Sequence, residues 1–185
     1  HRDLHSFPTR RSSDLNLSDF ERIHSIGYSL KDVKVSFSKD LKLNVSDLTI
    51  DGKQGEILNI PRWIANVLES EKYVEIQDSE ILTELKQAVM KEEVQSNFDL
   101  SVLEPYFYIK LKSYMQRMTE KDYDMTESML NKLLRTRRSK IIRLADSSKL
   151  SAEISQKLTV EEYDFYNEIH NVSTKFSKKI IGSKK

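Results

Sequence analysis

The stretch GEILNIPRWIANVLESEKYVEI, residues 55–76, decides the fold because its apolar pattern changes period at Pro61. Before the proline, the residues around Ile57 are typical of the end of a short strand. After it, apolar residues recur at helical spacing: Trp63, Ile64, Val67 and Leu68. We predict a short helix with Asn59 as its cap and Pro61 in its first turn. Trp63 then lies at a strand-to-helix corner, where so large a ring usually fills a core and sometimes anchors a partner.

Alternating apolar and polar residues predict three or four short strands between 33 and 60. The inward positions would be Val33, Val35, Phe37, Leu41, Leu43 and Val45. Asp51-Gly52 predicts a tight turn before a strand at 56–59, and residues 73–76 predict one more strand. So small a sheet needs support from the rest of the chain, and we expect Trp63 to pin it there.

Four helices are predicted in the remainder, over about 79–95, from Ser101, over about 126–146, and from Thr159. Ser101–Glu104 and Thr159–Glu162 have the pattern of capping boxes, and an acidic loop is predicted from Glu120 to Asp124. The expected apolar faces are Leu103, Phe107, Leu111, Tyr114 and Met118; then Leu130, Leu134, Ile141 and Ala145; then Phe165, Ile169, Val172 and Phe176. The predicted class is mainly α, an antiparallel helical bundle with a small N-terminal β domain.

Composition excludes several classes of protein. The chain contains no cysteine, so disulfides and thiolate metal sites are excluded. No apolar run approaches the ~20 residues that a membrane-spanning helix needs. The net charge is only +1, but residues 131–143 carry six cations and no acid, and residues 175–185 carry five lysines. This asymmetry favours acidic or phosphate-bearing partners.

Catalytic constellations are scarce. Beyond the first fifteen residues the only histidines are His24 and His170, without metal-ligand spacing. The turn at 52–55 lacks the Lys-Ser/Thr pair and the helix of a phosphate loop. Adjacent glutamates at 92–93 and 161–162 point about 100° apart on a helix, so we interpret them as solvated, or as capping in the case of Glu162. We predict no catalytic, cofactor or metal site.

The basic helix is the main candidate for contact with a partner or with nucleic acid. Its candidate residues are Lys132, Arg135, Arg137, Arg138, Lys140 and Arg143. A charged row is often only a solvated face, but cations without an acid repel one another, which favours a use. An acidic protein surface is preferred slightly over DNA, because the aromatic residues of a base-stacking platform are missing. Trp63, Tyr106, Tyr108 and Tyr114 are candidates for a subunit interface, while Phe107 is assigned to the core.

Several motifs in order resemble the GINS proteins, replication factors that assemble as tetramers beside the MCM helicase. The segment at 60–65 is similar to their LPxWLA motif. The other matching pieces are Lys91-Glu92-Glu93, Tyr106-Phe107-Tyr108, Arg137 to Ala145, and Leu158 to Tyr163. The resemblance covers about residues 28–175. Because the β segment comes first, it points to the archaeal-type class that carries its small domain N-terminal to the helices.

The resemblance implies a non-catalytic scaffold that joins other GINS-type subunits in a tetramer and bridges MCM helicase to a RecJ-type protein. It also implies a cytoplasmic, nucleoid-associated location, or a nuclear one in a eukaryote. The alternative is a stand-alone helical nucleic-acid-binding protein that uses residues 131–143. The expected domains are a β-rich domain at 16–77, a helical domain at 78–177 and a basic tail at 178–185. Residues 1–15 resemble a translated sequencing adapter, or else form a disordered leader.

Overall fold

The computed structural model describes residues 17–45, 48–78, 80–147 and 149–182, so the predicted leader lies outside the described residues. The first half contains α1 (Leu17–Ser29), β1 (Asp32–Phe37), β2 (Leu41–Val45), β3 (Leu48–Gly52), β4 (Ile57–Pro61), α2 (Arg62–Ser70) and β5 (Val74–Ile76). The second half contains α3 (Ile81–Val94), α4 (Phe107–Met115), α5 (Glu120–Ser147), α6 (Ala152–Ser155) and α7 (Val160–Ile181). The predicted mainly α class with a small N-terminal sheet is confirmed.

The sheet has the order β4-β1-β5, all antiparallel, and β2 and β3 form a separate two-stranded antiparallel sheet. Val35 on β1 pairs with Leu58 on one side and Ile76 on the other, and its side chain is fully buried. The predicted turn at Asp51-Gly52 is wrong, because both residues end β3 and the turn follows at 53–55, where Gly55 has a φ of 83°. A Cβ at position 52 would lie 2.6 Å from the Phe37 ring, so glycine there makes room for that ring.

Helix α2 begins directly after β4, with Pro61 at its N-cap position and no side-chain cap, so the prediction of Asn59 as a cap is wrong. The face that α2 buries consists of Arg62, Ile64, Ala65 and Leu68. Trp63 lies outside this face and is 44% exposed. The prediction that Trp63 pins the sheet is therefore wrong, and Ile64 takes that place in the sheet core.

The first helical core joins α3, α4 and α5 through Leu85, Leu111 and Leu133. Ser101 does not cap the second helix as predicted: its N–H and hydroxyl both donate to Glu92, and α4 begins only at Phe107. The predicted acidic loop at 120–124 is the start of α5.

The capping box that opens α7 is confirmed, since Thr159 and Glu162 exchange their side-chain hydrogen bonds. Arg137 bonds Glu162, and further along both helices Asp146 bonds Ser173. Because both contacts advance in the same direction, α5 and α7 run parallel, and the segment around α6 returns the chain between them. The predicted antiparallel arrangement is therefore wrong for this pair, since the return segment places the start of α7 beside the middle of α5. Helix α7 continues to Ile181, so the predicted basic tail begins inside it.

Candidate functional site

The basic helix lies within α5, and the structure divides its six cations between the interior and the surface. Arg137 and Lys140 are buried, at 0% and 3% exposed. Lys132, Arg135, Arg138 and Arg143 are exposed. The prediction of Arg137 and Lys140 as partner or nucleic-acid contacts is therefore wrong, because neither side chain can reach a partner in this fold.

Arg137 is the centre of a buried charge network that links three helices. Its guanidinium donates two bonds to Glu162 on α7, Nε to Oε1 at 2.6 Å and Nη2 to Oε2 at 2.7 Å. Its Nη1 donates to Oε2 of Glu92 on α3 and to the carbonyl of Ser101, both at 2.8 Å. Nη2 also donates to the carbonyl of Lys157. This fork geometry suits arginine and would not be reproduced by lysine.

Lys140, one helical turn after Arg137, completes the network. Its Nζ lies 2.8 Å from Oε1 of Glu92, but the approach is off the hydrogen-bond direction, so we treat this contact as an ion pair. The ammonium group donates instead to the backbone carbonyls of Glu92, at 2.9 Å, and Gln95, at 3.4 Å. Two cations thus face two carboxylates, and the buried charges balance.

The ionisation of the network follows from these contacts. Burial alone would raise the pKa of Glu92, but the ion pair with Lys140, the hydrogen bonds from Ser101 and the charge of Arg137 outweigh it and hold that pKa below its ordinary value. Burial would likewise lower the pKa of Arg137, yet the Glu162 carboxylate raises it above its usual range. Burial is the largest cause that raises the pKa of Tyr108 well above the ordinary value, and the negative charge of Glu162 is the second. Tyr108 therefore stays a phenol and donates a hydrogen bond to Glu162 at 2.7 Å. The network therefore fixes α3, α5 and α7 to one another.

The predicted solvation of Glu92 is wrong for the same reason, since this side chain is buried, whereas the capping role expected for Glu162 is present. Of the exposed cations, Lys132 is paired with Glu93 at 2.5 Å. The exposed cations available to a partner are accordingly Arg135, Arg138 and Arg143, since Lys132 is already paired.

The candidate interface tyrosines are all half-buried. Tyr106 packs on Tyr28 of α1 with ring centroids 5.8 Å apart, and Lys31 Nζ lies over the Tyr106 ring, 5.0 Å from its centroid. Tyr108 joins the charge network, and Tyr114 packs against the first helical core. Their contacts are within the chain, whereas Trp63 presents its ring to the surface. Phe107 is buried, as predicted.

Large exposed apolar side chains form a second feature of the surface. One group, which we name the α3 patch, consists of Met90, Val94 and Val102, which line a groove of about 540 Å³ with Lys91, Gln95 and Ser101. Val94 is 88% exposed. On α7, Val172 and Phe176 were predicted to face the bundle but are exposed, while Phe165 and Ile169 pack on its core. The excess of apolar positions over what one small bundle can bury predicts exposed apolar surface of this kind.

Within the described ranges, no group of three or more histidine, aspartate or glutamate side chains is placed to hold a metal ion. None of the helices described is both long and apolar enough to cross a membrane.

Comparison with known families decides the relationship. The model of the Sld5 family, described as the GINS complex protein helical bundle domain, matches residues 80–181, which include α3 to α7. The chain belongs to this GINS family. The sheet precedes the matched GINS bundle in the chain, as the resemblance implied. A comparison with curated proteins gives no match.

Membership in the GINS family explains why so much apolar surface is exposed on one chain. Subunits of a complex leave apolar patches uncovered until they meet their neighbours. The family assignment supports association with other GINS subunits.

Proposed function

We propose that the chain is a non-catalytic scaffold subunit of a GINS-type replication complex, of the archaeal-type class that carries its small domain first. In this role it joins other GINS-type subunits in a tetramer, contacts MCM helicase and a RecJ-type protein, and supports unwinding at the fork. Its location follows that of replicating DNA, in the cytoplasm or the nucleus. The expected domain division, with the sheet before residue 78 and the bundle after it, is part of this proposal.

The exposed apolar surface of the GINS bundle is the observation that carries the proposal. The α3 patch lies at the end of α3, on the matched bundle, and its side chains gain nothing from solvent. We assign the α3 patch to a sister GINS subunit, with Trp63 as a second contact. The exposed arginines Arg135, Arg138 and Arg143 then contact an acidic surface of the helicase or its partner.

Helicase stimulation tests the scaffold function. MCM unwinding of a forked duplex is measured alone, with the chain, and with the complex of the chain and a sister subunit. We expect the complex to raise the unwinding rate and the chain alone to have little effect. An equal unwinding rate in all three reactions would contradict the proposal.

A second candidate function, direct nucleic-acid binding, is favoured by the same exposed cations. Replacing Arg135, Arg138 and Arg143 together with glutamine removes three charges without touching the buried network. If DNA is the partner, the slope of log affinity against log salt flattens by about 0.9 per lost phosphate contact on duplex. If an acidic protein is the partner, DNA affinity stays the same and association with the helicase falls. If both affinities are unchanged in the triple variant, the three exposed arginines have no binding role.

A further inference from the structure

The two ends of the parallel pair α5 and α7 carry opposite charge. The start of α5, which we name the acidic end, is residues 120–127, with four acids and one lysine: Glu120, Lys121, Asp122, Asp124 and Glu127. The last turns of α7, named the basic end, are residues 175–181, with three lysines and no acid: Lys175, Lys178 and Lys179. All these side chains are exposed, and among the described residues none of them belongs to an ion pair that the structure records.

Each end also presents apolar surface among its charges. At the acidic end, Glu120, Tyr123 and Glu127 share one helix face, because they are three and four residues apart. Tyr123 is exposed there. At the basic end, Phe176 and Ile180 share a face four residues apart, and both are exposed. The acidic end therefore offers an aromatic ring framed by carboxylates, and the basic end offers two apolar side chains beside ammonium groups.

The helix dipole explains only part of this pattern. Acids in a first turn and lysines in a last turn stabilise a helix by themselves. That effect does not account for exposed Tyr123, Phe176 and Ile180, which stand in water at a cost. Nor does it favour Asp124 four residues after Glu120, or Lys179 four residues after Lys175, because like charges at this spacing repel.

The two ends cannot meet within one chain. Helix α5 crosses α7 at the Arg137–Glu162 bonds, after the acidic end, and the last described bond between them, Asp146 to Ser173, precedes the basic end. At about 1.5 Å per residue, the two ends lie roughly 40 Å apart along the pair. A second copy, however, supplies an end of opposite charge that also carries exposed apolar side chains.

We propose that copies of this chain associate head to tail, with the basic end of one copy on the acidic end of the next. Phe176 and Ile180 then cover Tyr123, and lysines meet carboxylates around them. Such a contact is heterologous and joins copies in series. Because it involves only a few helical turns and exposed charges, it is weak and sensitive to salt. This contact goes beyond the proposed function and does not use the α3 patch.

Charge reversal tests the proposal on the full chain. One variant reverses the basic end, Lys175→Glu, Lys178→Glu and Lys179→Glu. A second reverses the acidic end, Glu120→Lys, Asp124→Lys and Glu127→Lys, and leaves Asp122, which bonds Thr119. A control carries the same charge change as the first variant at exposed lysines elsewhere, Lys53→Glu, Lys86→Glu and Lys149→Glu. Circular dichroism checks that all variants keep their helices, and sedimentation velocity at low and high salt measures self-association.

At low salt we expect the original chain and the control to self-associate, and each reversed variant to do so about tenfold more weakly or not at all. An equimolar mixture of the two reversed variants should recover association, since each then supplies what the other lost. A mixture that stays monomeric, or an original chain that is monomeric at low salt, would overturn the proposal. So would a basic-end variant that loses DNA or anionic-vesicle binding while its self-association is unchanged. Co-purification of both variants with a sister subunit should be unaffected. A negative result for head-to-tail association would therefore leave the proposed function standing.

Discussion

Arg137 donates two parallel hydrogen bonds to Glu162, at 2.6 and 2.7 Å, and thereby fixes the middle of α5 to the first turn of α7. The same Glu162 carboxylate accepts a bond from the Thr159 N–H and another from Tyr108. One side chain thus caps α7 and holds it against the bundle. Two of the six cations in the basic segment of α5, Arg137 and Lys140, thus act inside the fold.

Replacing Arg137 with methionine should strongly destabilise the chain. The variant leaves Glu92 and Glu162 buried with only Lys140 to balance them, which costs about 3–5 kcal/mol. Chemical denaturation measures the free energy of unfolding. The matched control, Arg138→Met on the exposed side of α5, should change it by about 0.5 kcal/mol or less. Equal losses in the two variants would show that Arg137 is not a structural centre.

Acid should weaken the fold through Glu92. The folded-state pKa of Glu92 lies below its ordinary value of 4.5, so its stabilising contribution is present above that pH and is lost as the pH falls through the folded pKa. The free energy of unfolding should therefore decline below pH 4.5, and Glu92→Gln should make this decline shallower. Denaturation at a series of acidic pH values provides the comparison. Parallel acid limbs for both proteins would be inconsistent with a lowered pKa.

Trp63→Ala should have little effect on the isolated chain, because the ring is largely at the surface. We expect a loss of about 1 kcal/mol or less. The neighbouring variant Ile64→Ala, at a buried position in the sheet core, should cost about 2–5 kcal/mol. Thermal unfolding of both variants makes the comparison. If Trp63→Ala costs as much as Ile64→Ala, the ring contributes to the core after all.

Val94→Glu should weaken association with a sister subunit and leave the fold intact. The side chain is almost fully exposed, so stability should change by about 0.5 kcal/mol or less, while a charge in an apolar interface is costly. Lys86→Glu, exposed on the same helix, is the control and should bind normally. Isothermal titration calorimetry with the sister subunit gives both affinities. Unchanged binding by Val94→Glu would remove the α3 patch from the interface.

Local patterns predicted the elements of this chain well. The strands around Val35, the helix after Pro61 and the capping box at Thr159 depend on neighbours within a few residues, so the sequence carries their signal. The wrong capping box at Ser101 fails for a long-range reason: Glu92 takes the hydrogen bonds that a cap would use. Competition of this kind is not visible in a local window.

The inward direction of Arg137 was harder to predict, because its carboxylate partners are 45 and 25 residues away in the chain. One signal was available. Arg137 lies four residues after Leu133 and four before Ile141, so it shares their apolar helix face. Six cations without an acid in residues 131–143 predict charge repulsion, but the acids that neutralise the buried pair come from α3 and α7.

Co-expression with a second GINS-type subunit, followed by light-scattering mass measurement, tests the central claim most directly. The account places this chain in a multi-subunit complex, so the two proteins should elute together with a mass near four chains. The Val94→Glu variant should shift that mass downward, and the Lys86→Glu control should not. Separate elution of the two subunits, with a chain that remains by itself and binds DNA, would contradict the account.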